Sequence, residues 1–115
     1  MKWVTYKGKQ IITIDYTGMD ENSILLQMQL YFDAIKNEPE VRHLTKFPDA
    51  ILTKEFREKA RAMEIENTSD KKVKIALLGI NKSQKANVST YSFFTKVKAQ
   101  AFDSEKEAMD WLASD

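Results

Sequence analysis

The feature that most narrows what this chain can fold into is a repeated change in the spacing of its apolar residues. Stretches in which apolar and polar residues alternate give way to stretches in which apolar residues recur every three or four positions, and the exchange happens several times. The first spacing suits a half-buried strand and the second an amphipathic helix. A chain that switches repeatedly between them is best satisfied by a sheet whose strands are joined by helical crossovers.

Residues 3–7 and 10–16 read as two strands joined at Gly8-Lys9, a hairpin turn. In the second, Ile12, Ile14 and Tyr16 share one face, and Ile11, Thr13 and Asp15 the other. After the turn at residues 17–20, Ile24, Met28, Phe32 and Ile35 recur at helical spacing with Leu25 beside them. Asp20 or Asn22 can cap this helix, and Pro39 lies just past its end. A third strand follows at about 41–47 and is broken by Pro48. Thr53 is placed to cap a second helix, with Glu55 in its first turn and Phe56, Ala60 and Met63 as its apolar stripe. Residues 73–80 form the most apolar strand, expected at the centre of the sheet. Asn81-Lys82-Ser83 then opens a third helix carrying Ala86, Thr90, Phe93 and Val97. A last strand near 98–102 leads into Ser104-Glu105-Lys106-Glu107, a capping box that starts a final helix bearing Ala108, Trp111 and Leu112. The expected fold is α/β, with one layer of mixed, mostly parallel five-stranded sheet, an antiparallel first strand and four helices in the order ββαβαβαβα.

Length and composition exclude several function classes. At 115 residues the chain has the size of one domain, and no linker, repeat or low-complexity segment divides it. The 18 basic residues are offset by 17 acidic ones, which argues against dedicated nucleic-acid binding. Without cysteine there is no disulfide, thiolate metal site or thiol nucleophile. The N-terminus runs straight into a strand-like segment with no apolar leader, and the longest apolar run, 75–78, is too short to cross a bilayer. A cytoplasmic location with no transmembrane segment is the expectation.

The order of elements and three local phrases resemble the SpoIIAA-like branch of the STAS superfamily, the fold of anti-sigma-factor antagonists. The phrases are Tyr6-Lys7-Gly8-Lys9 running into Ile14-Asp15-Tyr16, the apolar strand ending beside Gly79, and Ala101-Phe102-Asp103-Ser104 running into Ala108-Met109-Asp110-Trp111-Leu112. The resemblance implies a non-enzymatic regulatory module that binds a protein partner, of anti-sigma-factor or kinase type. In those antagonists the third strand is followed by Asp-Ser-Ser/Thr-Gly, whose hydroxyl a partner kinase phosphorylates. Here that place reads Phe47-Pro48-Asp49-Ala50-Ile51-Leu52-Thr53, without the Asp-Ser pair or the glycine. Only Thr53 offers a hydroxyl near the second helix, so the phosphorylation switch is not carried over. The same branch also suggests an alternative role, as carrier of a lipid or other small apolar ligand. No cofactor is implied.

No constellation amounts to a catalytic site. His43 is the sole histidine and shares a strand face with Val41, Thr45 and Phe47; without a second histidine or any cysteine it reads as a structural strand residue, hydrogen-bonded or partly exposed, and not as a metal ligand. Asp49 and Asp15 have no visible pairing, and Asp49 suits the turn after Pro48. Residues 79–85 place Lys82 and Lys85 at a helix start, where anions are favoured, but the glycines of phosphate-binding loops are missing, and a Ser-capped helix with solvated lysines explains the pattern. Tyr91, Phe93 and Phe94 read mainly as core, and the densely charged 54–66 helix as a solvated face. In parallel α/β sheets ligands gather beyond the carboxyl ends of the strands. The expected partner- or ligand-binding surface is therefore Thr45, Phe47, Asp49, Thr53, Asn81, Lys82 and Ser83.

Overall fold

The sheet begins at a two-residue turn. Lys7 and Gly8 both have positive φ, 50° and 77°, the signature of the tight turn whose twist matches paired strands. It joins β1 (Lys2–Tyr6) to β2 (Lys9–Asp15), with Tyr6 opposite Lys9 and Trp3 opposite Ile12. The computed structural model describes residues 1–47, 52–79 and 97–114. Within them follow α1 (Glu21–Ile35), β3 (Glu40–Lys46), α2 (Lys54–Thr68), β4 (Lys72–Leu78), β5 (Val97–Phe102) and α3 (Glu105–Ala113). The strands lie side by side in chain order, β1 antiparallel to β2 and every later neighbour parallel. This is the mixed, mostly parallel five-stranded α/β sheet that the alternating spacings predict.

Three helices stand among the described residues where four were expected. The expected third helix, with Ala86, Thr90 and Phe93, falls at residues 80–96, outside them. Val97 was assigned to that helix and belongs instead to β5, buried opposite Val73. Its side chain continues the alternation of Ala99 and Ala101, so the strand spacing governs there.

Alternation sorts the sheet into two apolar faces. Ile12, Ile14, Tyr16, Val41, Val73, Ile75, Leu77 and Val97 pack with Ile24, Tyr31, Phe32, Ile35 and Phe56 of α1 and α2. On the opposite face Ile11, Leu44, Ala76 and Leu78 meet Ala108, Met109 and Leu112 of α3. The helix starts are capped as their sequences indicate: Asp20, Thr53 and Ser104 each accept from the backbone N–H three residues on. Trp111, which shares the apolar stripe of α3 with Ala108 and Leu112, is only half-buried. Leu112 is the fully buried anchor, while the Trp111 ring lies against Phe102 at 5.4 Å and under the Lys74 ammonium at 4.6 Å.

None of the three described helices carries a basic residue in its own last turn. For two of them positive charge arrives from outside. Lys71 Nζ donates to the carbonyls of Lys36 (2.9 Å) and Glu38 (2.8 Å) at the end of α1. Arg42 on β3 donates to the carbonyls of Leu112 and Ser114, and Lys74 on β4 to those of Trp111 (2.7 Å) and Ser114 (2.9 Å). These cations satisfy carbonyls that a helix end leaves unpaired and complement its negative pole. One residue before those carbonyls, in the C-terminal half of α3, Asp110 is held by the Tyr6 hydroxyl (2.6 Å) and the Lys7 ammonium (2.9 Å), which ties the hairpin to the helix.

Candidate functional site

The carboxyl ends of β3 and β4 leave the sheet side by side. The Phe47 N–H, one residue past the end of β3, donates to the carbonyl of Leu78, the last residue of β4, at 2.9 Å. Gly79 then turns the chain with φ 78°, a conformation that side chains other than glycine's rarely adopt. Phe47 is half-buried there, with its ring against the α1/α2 core. Asp49, Asn81, Lys82 and Ser83 follow these two strand ends in sequence and lie outside the described residues. So does the lysine-flanked helix start considered for anions.

Thr53 is exposed at the start of α2 and is fully engaged. Its hydroxyl accepts from the Phe56 N–H (3.1 Å) and donates to the Glu21 carboxylate (3.0 and 3.1 Å to the two oxygens), which also takes the Thr53 N–H at 2.7 Å. Glu21 opens α1, so one carboxylate and one hydroxyl join the starts of two helices. A phosphate on this hydroxyl would set its charge directly against Glu21.

Thr45 points inward. It is buried, and its hydroxyl lies 2.7 Å from His43 Nε2. It therefore supports the interior and presents nothing to a surface partner. His43 is hydrogen-bonded as its sequence setting suggests, and its ring stacks on Tyr31 at 4.3 Å. Its Nδ1 has no hydrogen-bond partner among the described residues. Burial pushes its pKa down to about 3, so the imidazole is neutral.

A second titratable group shares this face of the sheet. Glu64 of α2 is buried, its Oε1 lacks a partner among the described residues, and burial raises its pKa to about 7. Its negative charge, after burial itself, helps to raise the pKa of the Tyr16 hydroxyl at the end of β2. Sequence reasoning missed Glu64 by placing it on a solvated helix. The signal was present: Phe56, Ala60, Glu64 and Thr68 recur every four residues, and the stripe that begins with Phe56 runs straight through it. Glu21 was missed because its partner is 32 residues away.

At the far end of the sheet, where α1 and α2 finish, an open depression of about 380 Å³ is bordered by Phe32, Lys36, Glu66, Asn67, Ser69, Asp70 and Lys71. Its rim is mostly polar or charged. Among the described residues no group of three or more His, Asp or Glu is arranged to hold a metal, and no helix is long and apolar enough to cross a membrane.

No protein-family model matches the chain, and no curated protein matches it. Among solved structures it is similar to an uncharacterised protein of the DUF3478 family with a SpoIIAA-like fold from Shewanella loihica PV-4. The TM-score is 0.66 and the identity 17%, over 97% of this chain and 91% of the other.

Proposed function

From a SpoIIAA-like fold that spans nearly the whole chain, we propose a non-enzymatic regulatory binding module that acts by protein–protein contact at the carboxyl end of its sheet. The observation that carries the reading is the pairing of the β3 and β4 tails, with Phe47 half-exposed against Gly79. The sequence runs on from these two strand ends into Asp49 and into Asn81-Lys82-Ser83, and open α/β sheets bind beyond the carboxyl ends of their strands. Thr53 and Glu21 fix the neighbouring helix starts as one rigid border. A partner of anti-sigma-factor or kinase type is the class the fold suggests.

The test is cross-linking and co-purification from the source cells. A stoichiometric protein partner, with cross-links at Lys46 and Lys82 and retention weakened at least tenfold by Phe47→Ala, is the expected result. A partner attached only to the outer face of α3 would refute this surface. The carrier reading has less support, because the depression bordered by described residues is open and charged at its rim, unlike the mostly apolar enclosure such ligands need. Native mass spectrometry of the purified protein, showing a bound apolar molecule in most copies, would reverse that preference.

A further inference from the structure

We propose that the outer edge of β1 is a self-association surface on which a second copy of this chain pairs antiparallel across a two-fold axis. This surface is separate from the carboxyl-end surface and does not depend on it. β1 is the outermost strand, and among the described residues nothing pairs with its outer side. A two-residue turn makes its closing pair, Tyr6 and Lys9, exchange both backbone hydrogen bonds, and alternate residues repeat that pattern along an antiparallel ladder. Lys2, Val4 and Tyr6 therefore spend their N–H and C=O groups on β2. Those of Trp3 and Thr5 point outward, and no proline or bulge protects them.

The outward groups are self-complementary. With the two-fold at Val4, Trp3 of each copy faces Thr5 of the other, and the two pairs exchange four backbone hydrogen bonds. Lys2 then faces Tyr6, so no like charges oppose each other. A foreign strand would need a matching pattern; a second copy has it by construction.

Side chains on the α1 side favour the same occupant. Trp3 lies opposite Ile12 and so on the face covered by α1 and α2, yet it is 44% exposed. Glu21 and Phe32 mark the flank of α1 turned toward α2. Leu26 and Leu30, 70% and 51% exposed, lie about 120° and 160° around the helix from Phe32, on its outer side and its β1 flank. Joining the two sheets through β1 puts three strand spacings, about 14 Å, between the two copies of β2. Helices in direct contact sit about 8–10 Å apart. The copies of α1 above would thus leave a gap that two Trp3 rings and the Leu30 side chains can fill.

Sedimentation equilibrium of the full chain, from micromolar to submillimolar concentration, tests this. The expected result is a dimer whose dissociation constant rises at least tenfold in Leu30→Glu and in Thr5→Pro, and is unchanged in Gln100→Pro on the opposite edge strand. Proline at position 5 removes only an outward donor, which edge strands tolerate, and Leu30→Glu covers the case in which Thr5→Pro fails to fold. A monomer throughout, or a dimer indifferent to both β1-side variants, overturns the proposal. So does a monomer whose tryptophan emission shifts on adding phospholipid vesicles, which would give the apolar strip to a lipid surface.

Discussion

Replacing Thr53 by alanine removes the acceptor for the Phe56 N–H and the donor to Glu21 together. The expected loss is about 1–2 kcal/mol, the upper part of the range for a helix cap, measured by urea denaturation. Thr53→Glu should cost more than Thr53→Ala, because it adds a second carboxylate beside Glu21, and the excess should shrink in high salt. If instead the acidic variant is as stable as wild type, the Glu21 contact is not a determinant of the α2 start. Cap residues such as Thr53 are legible in sequence because the cap bond spans three residues. The carboxylate that the same hydroxyl also serves is not, since it is contributed by a different helix.

At the scale of elements, α3 separates the two kinds of apolar residue that a helical stripe cannot tell apart. Leu112 is wholly enclosed by β3 and β4, whereas Trp111 stands at the border, between Phe102 and Lys74. Leu112→Ala should cost about 2–5 kcal/mol and Trp111→Ala clearly less, read from denaturation midpoints at constant slope. Equal losses would mean that the indole is as enclosed as the leucine. The hairpin, with its turn at Lys7-Gly8, one residue earlier than the expected Gly8-Lys9, could be read from spacing and local caps, as could α1, the parallel strands and the last helix. Which side of a helix lies over the middle of the sheet and which over its margin could not, because that depends on where the strands run out. The cations that complete α1 and α3 were equally hidden: Arg42 meets Leu112 from 70 positions away, and in sequence it is one more charge on a strand. Glu64 was obscured by the opposite effect, a buried carboxyl among many exposed ones.

Across the whole molecule, His43 and Glu64 give stability opposite dependences on pH. His43 is neutral in the folded chain down to about pH 3, whereas the unfolded side chain takes up a proton below about 6.5. Its contribution is thus present above pH 6.5 and is lost as pH falls. Glu64 keeps its proton in the fold up to about pH 7, whereas unfolded it releases it above about 4.3. Its contribution is present at low pH and is lost as pH rises, by roughly 4 kcal/mol in total. Between about pH 4.5 and 6.5 one proton is gained and one lost on unfolding, so wild-type stability should be nearly flat. Glu64→Gln should unmask a stability that climbs with pH over that window, and His43→Gln one that declines, both measured by denaturation at a series of pH values. Parallel curves for all three proteins would contradict the buried assignments. The strand order carries a different consequence. Because position in the sheet repeats position in the chain, every strand after the first meets a neighbour that the ribosome has already released. The sheet can therefore grow by accretion from its N-terminal edge during synthesis, with no slot held open for a later strand and no earlier pairing to undo.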